Sequence, residues 1–263
     1  MNKSFKVKKN SQITVLLPIH NEKKEFLKDS IESLINQSYD NWKCLIIYEG
    51  KKKENIVFIN KILKKDKRFK LIIPNQKLGL AGSLNLGLSL SDTEYIARFD
   101  SDDIMLKDRL KIQLQFLEKN KSISVVGSNL YVINEKNEKI KFRKYPKQGR
   151  KLFFYFSYRC GLAHPSTMFR LEAVQKVGMY NPELTGAEDL DLWLRLLKNG
   201  FAIYNIQEPL LLYRQNFSRS TNHWSNVYKV RKENSNIFII FPEKLILLCI
   251  KLILLIRKFK IDF

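Results

Sequence analysis

Four short apolar runs separated by helix-length segments constrain this chain more than anything else in its sequence. Ile13-Thr-Val-Leu-Leu-Pro18, Cys44-Leu-Ile-Ile-Tyr48, Phe69-Lys-Leu-Ile-Ile73 and Glu94-Tyr-Ile-Ala-Arg-Phe99 each read as a strand. Between them, residues 26–37 carry Phe26, Leu27, Ser30, Ile31, Leu34 and Ile35 at helical spacing. Residues 56–65 also read as helical, and residues 79–90 as a helix of small residues. Strands alternating with helices predict an α/β fold, a mostly parallel sheet with helices on both faces. Ligands in such sheets bind beyond the carboxyl ends of the strands. That rule points to the loops holding His20, Glu49, Asn75 and Asp100.

The second half reads differently. A helix is expected over 109–119, strand-like runs at 124–128 and 130–133, a basic connection over 136–151, and the aromatic run Phe153-Phe-Tyr-Phe156. An amphipathic helix over 188–198 ends at Asn199-Gly200, a good C-terminal stop. The organisation expected is one domain over 1–225, halved near residue 103, and an apolar or amphipathic helical tail over 226–263. In the tail, residues 237–241 and 245–256 are almost wholly apolar but interrupted by Pro242, Glu243, Lys244 and Lys251. A spanning helix needs about 20 uninterrupted apolar residues. An interfacial helix with lysines at anionic headgroups fits better, with a hydrophobic protein contact, including a homodimer contact, as the other reading.

Lys and Arg total 47 against 26 Asp and Glu, a net charge of +21 in 263 residues. Such a charge implies a polyanionic partner: nucleic acid, an anionic lipid surface or phosphorylated substrates. The lysines are scattered over many elements without an aromatic–basic recognition motif, so nucleic acid is not the expected partner. Cys44, Cys160 and Cys249 form no CxxC or Cys/His cluster, so neither a zinc site nor a disulfide framework is suggested, and buried free thiols in a reducing compartment are expected. The basic N-terminus lacks a hydrophobic signal core, so a cytoplasmic location at the inner membrane face is expected.

The chemistry is concentrated in Phe99-Asp-Ser-Asp-Asp103. Three carboxylates in four residues repel one another unless a divalent cation or several donors compensate them. Hard oxygen ligands suit Mg²⁺ or Mn²⁺, with waters and a diphosphate filling the other positions. The plainer reading is an acidic loop capping the helix near Arg109.

Taken in order, Ile13 to Glu22, Ser33-Leu-Ile-Asn-Gln-Ser-Tyr39, the segment 75–87, and Tyr95-Ile-Ala-Arg-Phe-Asp-Ser-Asp-Asp103 resemble the family 2 glycosyltransferases. The resemblance continues through Gly161-Leu-Ala-His-Pro-Ser-Thr-Met-Phe169, Val177-Gly-Met-Tyr-Asn181 and Ala187-Glu-Asp-Leu-Asp-Leu-Trp-Leu-Arg-Leu196, and covers about 11–221. It implies a GT-A fold with a nucleotide-binding half (about 11–103) and an acceptor half (about 104–225). It also implies transfer, with inversion, from a nucleotide-diphosphate sugar, UDP favoured, to a glycan or lipid-linked oligosaccharide. The family's aspartate-x-aspartate motif falls on Asp100-Ser101-Asp102, which makes Asp102 the direct metal ligand, places Asp100 near the ribose or metal, and leaves Asp103 to support the loop. Pro18, His20, Glu22, Glu49, Asn75, Gly79, Asn85, Asp100 and Ser101 are the residues expected at the donor.

The pair Glu188-Asp189 matches the family's acidic motif on the acceptor side, with Asp189 read as the general base and Glu188 as its rival. Acids in a helix's first turn, favoured by the macrodipole, are the plainer reading of both. Asp191 is expected to face solvent. One departure is Tyr48-Glu49-Gly50-Lys51, where the family carries two acids before the glycine. Glu49 keeps the second, to accept from a uracil imide, whereas Tyr48 replaces the first. His20 is read as stacking near the base or as a surface residue, and His164 as shaping the acceptor loop. Arg214 and Arg219 are read as phosphate contacts or as a solvated face. The loop Pro18-Ile-His-Asn-Glu22 has no glycine to cradle phosphates, which argues against a sugar-phosphate nucleotidyltransferase. A non-catalytic basic membrane- or nucleic-acid-binding module and a transferase that binds donor without turnover are the alternatives.

Overall fold

The apolar runs form one half of a single nine-stranded sheet. In a computed structural model, which describes residues 12–215 and 223–234, they are β1 (Ile13–Ile19), β2 (Trp42–Tyr48), β3 (Phe69–Ile72) and β4 (Tyr95–Arg98), all parallel in the order β3-β2-β1-β4. The crossovers are helices α1 (Lys24–Ile35), α2 (Lys53–Lys65) and α3 (Gly79–Ser89). Strand β1 shows why its run is apolar without alternation. Val15 and Leu17 pack with Leu27, Ile31 and Leu34 of α1, while Leu16 packs with Leu84 and Leu88 of α3 on the other face. A parallel strand covered on both faces is a near-continuous apolar run, and the one buried polar residue of β1, Thr14, has its hydroxyl paired with that of Thr93 (2.7 Å). Each such fully buried side chain contributes roughly 1.5–3 kcal/mol of burial.

After β3 the chain crosses back over β1, so strand order reverses between β1 and its two neighbours. That reversal opens a crevice at the carboxyl ends of β1 and β4, where ligands of such sheets sit.

The second half of the chain continues the sheet as β4-β8-β6-β9-β5. Its elements are β5 (Ile104–Met105), α4 (Arg109–Lys119), β6 (Ile123–Ile133), β7 (Lys139–Arg143), α5 (Gly149–Phe156), β8 (Met168–Arg170), α6 (Leu171–Lys176), α7 (Glu188–Lys198) and β9 (Ala202–Arg214). Here the sheet is mixed: β8 runs antiparallel to β4 and β6, β6 and β9 pair in parallel, and β5 and β7 are antiparallel additions. The two expected strand pieces at 124–128 and 130–133 are one long strand, β6, whose register against β9 shifts near Asn129. Strand β7 arises inside the basic connection.

Helix α8 (His223–Glu233) crosses the expected boundary at 225/226, with Val227 and Val230 buried and Asn226 Nδ2 donating to the Thr185 carbonyl (3.0 Å). The apolar tail runs, Cys249 and Arg219 lie outside the described residues, as does the side chain of His223. Among the described residues, no helix is long and apolar enough to cross a membrane.

Candidate active site

The crevice has a volume of about 520 Å³ and is walled by residues from every strand end around it. Pro18, His20 and Glu22 follow β1, Glu49 follows β2, Lys77 and Gly79 lead into α3, Asp100, Ser101 and Asp102 follow β4, and Tyr213 and Arg214 close β9. A second recess of about 460 Å³ shares His20, Glu49 and Lys77 and adds Tyr48, Gly50, Ile73 and Asn75. Gly50 has no alternative there, because a Cβ would lie 1.7 Å from the His20 carbonyl oxygen and 2.8 Å from the Tyr48 ring.

The acidic loop is held from below by α1, which is how the sequence shapes it locally. Ser30 Oγ donates to the Asp100 carbonyl (3.2 Å), and the Met105 N–H donates to Ser33 Oγ (3.0 Å). Asp100 contacts the buried Arg98 guanidinium at 2.5 Å. Asp102 faces the crevice, and its carboxyl is pushed up to about 7, first by burial and then by the negative charges of Asp100 and Glu22. Burial likewise raises Glu22, partly offset by hydrogen bonds from Ser101 and from the His20 N–H (2.9 Å). Asp103 points away from the crevice and is fully buried. It accepts the Arg214 N–H at 2.7 Å while burial and its acidic neighbours hold its carboxyl well above the usual range. The crevice floor therefore gathers Glu22, Asp100 and Asp102, of which only Asp100 has a guanidinium against it.

Several expected residues are used differently. Arg214 is neither a solvated face nor a free phosphate ligand. Its side chain is 2% exposed and donates to the carbonyls of Asp102 and Asn134 and to Asn137 Oδ1, over the ring of Phe26 (4.0 Å). It bolts the end of β9 to the acidic loop. Asn85 is absent from both recess linings, because its amide is consumed in a two-way clamp with the Tyr180 backbone (2.8 and 2.9 Å). Asp191 is buried and paired with Arg195 (2.5 Å) instead of facing solvent, since α7 is packed nearly all round. Glu49 lines the crevice, but its carboxylate caps α3: it accepts from the Leu78 N–H (3.2 Å), the Gly79 N–H (3.1 Å) and the Ser83 hydroxyl. The Tyr48 hydroxyl donates to the Lys52 carbonyl (2.9 Å), closing the loop that the departure had altered. Arg98, Lys77, Ser83 and Tyr213 are crevice residues that sequence reasoning missed. An arginine inside an otherwise apolar strand, beside three acids, was the available signal for Arg98.

The pair on α7 flanks this group without lining either recess. Asp189 is half-buried at the helix N-terminus. Its Oδ1 accepts the Leu190 N–H (2.7 Å) and its Oδ2 the Cys160 thiol (3.4 Å). Glu188 is buried, with Oε2 unpartnered by protein and its carboxyl pushed up to about 7 by burial and then by Asp189. Arg98 exerts its charge on Glu188 as well as on Asp100, which couples α7 to the acidic loop. His164 is buried against Tyr180 Oη (2.8 Å) and kept neutral by burial and by Arg98.

Because the folded-state carboxyl of Glu188 lies above its ordinary 4.5, its contribution to stability is complete below that pH and lost as pH rises towards 7. Glu188→Gln is therefore expected to gain stability relative to the parent across that window, by on the order of 3 kcal/mol at its upper end. Denaturant melts of both proteins at stepped pH read this directly; parallel curves would refute the buried-carboxylate assignment.

With this geometry in view, the comparisons are specific. Residues 14–178 match the sequence profile of glycosyl transferase family 2, and the chain belongs to that family. It is 34% identical over 209 residues to the O-antigen biosynthesis glycosyltransferase WbnJ of Escherichia coli, covering 77% of this chain and 79% of WbnJ. It is 33% identical over 213 residues to the uncharacterized glycosyltransferase MJ1057 of Methanocaldococcus jannaschii, covering 77% and 70%. The fold is that of S. aureus TarS 1–349 in complex with UDP-GlcNAc (TM-score 0.68, 15% identity, 86% of this chain, 66% of that one). It is equally that of the mannosyltransferase PcManGT of Pyrobaculum calidifontis in complex with GDP-Man and Mn²⁺ (TM-score 0.63, 14% identity, 86% and 65%). This is the GT-A fold, and the chain spans 39% of a longer TarS structure.

Proposed function

We propose that this glycosyltransferase moves a sugar from a nucleotide-diphosphate donor, UDP favoured, to a glycan or lipid-linked acceptor, with inversion and dependence on Mn²⁺ or Mg²⁺. The observation that carries this reading is the crowding of Asp100, Asp102 and Glu22 at the strand-order reversal, where Arg98 pairs with Asp100 while burial and like charge raise the carboxyls of Asp102 and Glu22. Among the described residues, no three His, Cys, Asp or Glu side chains close around a metal by themselves. Asp102 first and Asp100 second are the residues that would hold a Mg²⁺-like ion, which needs only one or two carboxylates from the protein. Bound there, the ion supplies charge stabilisation to the departing nucleoside diphosphate.

The chain's own residues do the rest. The recess with His20, Tyr48 and Asn75 accommodates the base, and Glu49 holds the α3 N-terminus beside it. Asp189 takes the proton of the acceptor hydroxyl as that oxygen bonds the anomeric carbon and the bond from carbon to phosphate oxygen breaks. The names of the relatives support the substrate class: WbnJ acts in O-antigen biosynthesis, TarS binds UDP-GlcNAc, and PcManGT binds GDP-Man with Mn²⁺. The +21 charge supports a location at an anionic surface on the cytoplasmic side.

The deciding experiment is thermal stabilisation by UDP, GDP, CMP and their sugar conjugates, each with Mn²⁺ and with EDTA. A ligand that binds only the native state raises its melting temperature with concentration. A metal-dependent rise with one nucleotide is expected; no rise with any of them would overturn the donor assignment.

A further inference from the structure

The basic connection and the aromatic run, which look separate along the sequence, each leave large apolar side chains in solvent. From Lys139 to Cys160 the chain carries eight Lys or Arg, seven Phe or Tyr and no Asp or Glu. Strand β7 leaves Ile140 and Phe142 in solvent, 54% and 45% exposed. Helix α5 turns Leu152 and Phe156 into the core and leaves out Phe154 and, just past its end, Tyr158. Among the described residues the exposed large aromatics are Phe142, Phe154, Tyr158 and Tyr228, and three of these four lie here. They are not scattered singly. Tyr158 meets the rings of Phe154 (5.7 Å) and Tyr155 (5.0 Å), forming a ledge in a segment whose charged residues are all lysine or arginine.

Both ends of the segment touch the site. The Arg143 guanidinium lies over the ring of Tyr213, a wall of the crevice (5.5 Å), and the Cys160 thiol donates to Asp189 Oδ2. Whatever seats on this face sits at the acceptor side of the reaction.

We propose that the β7–α5 face docks on an anionic phospholipid bilayer. Exposed rings flanked by cations are the composition of an interfacial surface, where aromatic bodies enter the headgroup boundary and lysines meet anionic lipid. Each basic side chain near such a surface adds attraction that fades within about 8–10 Å. A second copy of the chain is a poor occupant, because like-charged faces repel. A single-stranded nucleic acid would use the cations and rings, but Ile140 gives it nothing to stack on or bond to, whereas an acyl boundary accommodates it. The docking stands on the surface alone; its consequence, an acceptor delivered from the membrane to Asp189, rests on the proposed transfer.

The test uses the full chain with phosphatidylcholine vesicles, with and without phosphatidylglycerol, carrying brominated acyl chains. Phe154→Trp and Tyr158→Trp should be quenched beyond the parent on phosphatidylglycerol vesicles, and Leu90→Trp, where α3 leads into β4, should not. The triple change Lys141→Glu, Lys144→Glu and Lys151→Glu should weaken partitioning about a hundredfold. Nucleotide-induced stabilisation should be unchanged in all of these variants, so a failed donor assignment shows there and not in the vesicle data. The proposal is overturned if the chain ignores the vesicles, if it binds them with both introduced tryptophans unquenched, or if the face binds single-stranded RNA in preference to lipid.

Discussion

Asp102→Asn should cut sugar transfer by orders of magnitude while making the metal-free protein harder to unfold. Both effects come from one cause. The Asp102 carboxylate is held in the crevice beside Asp100 and Glu22, where burial and two like charges oppose its ionisation. Asparagine keeps the shape and removes one of the crowded charges, so in EDTA the variant's melting temperature should rise by several degrees, the scale expected of a kcal/mol or more in a domain this size. The same change removes the foremost anionic ligand for a divalent ion that offsets charge on the departing diphosphate. Turnover should fall by about 10²–10³ or more, on the scale of losing one preorganised electrostatic group. The metal-dependent part of the nucleotide-induced stabilisation should disappear with it. Melting curves in EDTA and in Mn²⁺ with nucleotide, alongside product formation, separate the outcomes. An active variant would remove Asp102 from the metal site, and an inactive but destabilised one would make it a structural residue. Asp103→Asn is the useful contrast. From beneath the loop an asparagine oxygen can still accept the Arg214 N–H, so the metal-dependent nucleotide stabilisation that Asp102→Asn loses should survive here.

How much of this was legible in the sequence depends on how local the determining contacts are. Strands β1 and β2 could be read because a strand covered on both faces is a near-continuous apolar run, and edge strand β3 and strand β4 because only Lys70 and Arg98 interrupt theirs. The carboxyl ends of those strands then located the crevice without any long-range information. Strand β7 could not be read: Lys139, Ile140, Lys141 and Phe142 are all exposed, so no burial pattern marks the strand.

The side chains placed differently from expectation share another origin. Asn85 looks like a ligand residue until Tyr180, 95 positions later, takes both ends of its amide. Arg214 looks solvated until Asn134 and Asn137 converge on it with the acidic loop. Asp191 fits a polar helix face only if α7 has one. With Leu190, Leu192, Trp193, Leu194 and Leu196 all buried, the helix has little room for a solvated acid, and Arg195 takes the charge instead. Residue type and spacing identify which chemistry a loop carries; whether a polar group is free for that chemistry is decided by partners far away in sequence.

Asp189→Asn should leave donor binding intact and collapse turnover, and the geometry explains why this acid is favoured over its neighbour. A general base must reach the acceptor hydroxyl and be ionised at working pH. Asp189 is half-buried at a helix N-terminus, where the macrodipole favours its anion, and its two oxygens are oriented by the Leu190 N–H and the Cys160 thiol. Glu188 is buried, and its carboxyl is held near 7, so much of it carries a proton at neutral pH. Asparagine at 189 keeps an oxygen for the Leu190 N–H but cannot accept the acceptor's proton. A loss of about 10²–10⁴ in kcat is expected, with the nucleotide-sugar dissociation constant changed little. Glu188→Gln should instead retain most turnover at neutral pH and show itself in stability, because it replaces a group already reluctant to ionise. Single-turnover transfer at saturating donor measures the contrast. Near-parental turnover in Asp189→Asn together with collapse in Glu188→Gln would move the proton transfer to Glu188, and Asp189 would then be an acid placed by the helix dipole alone.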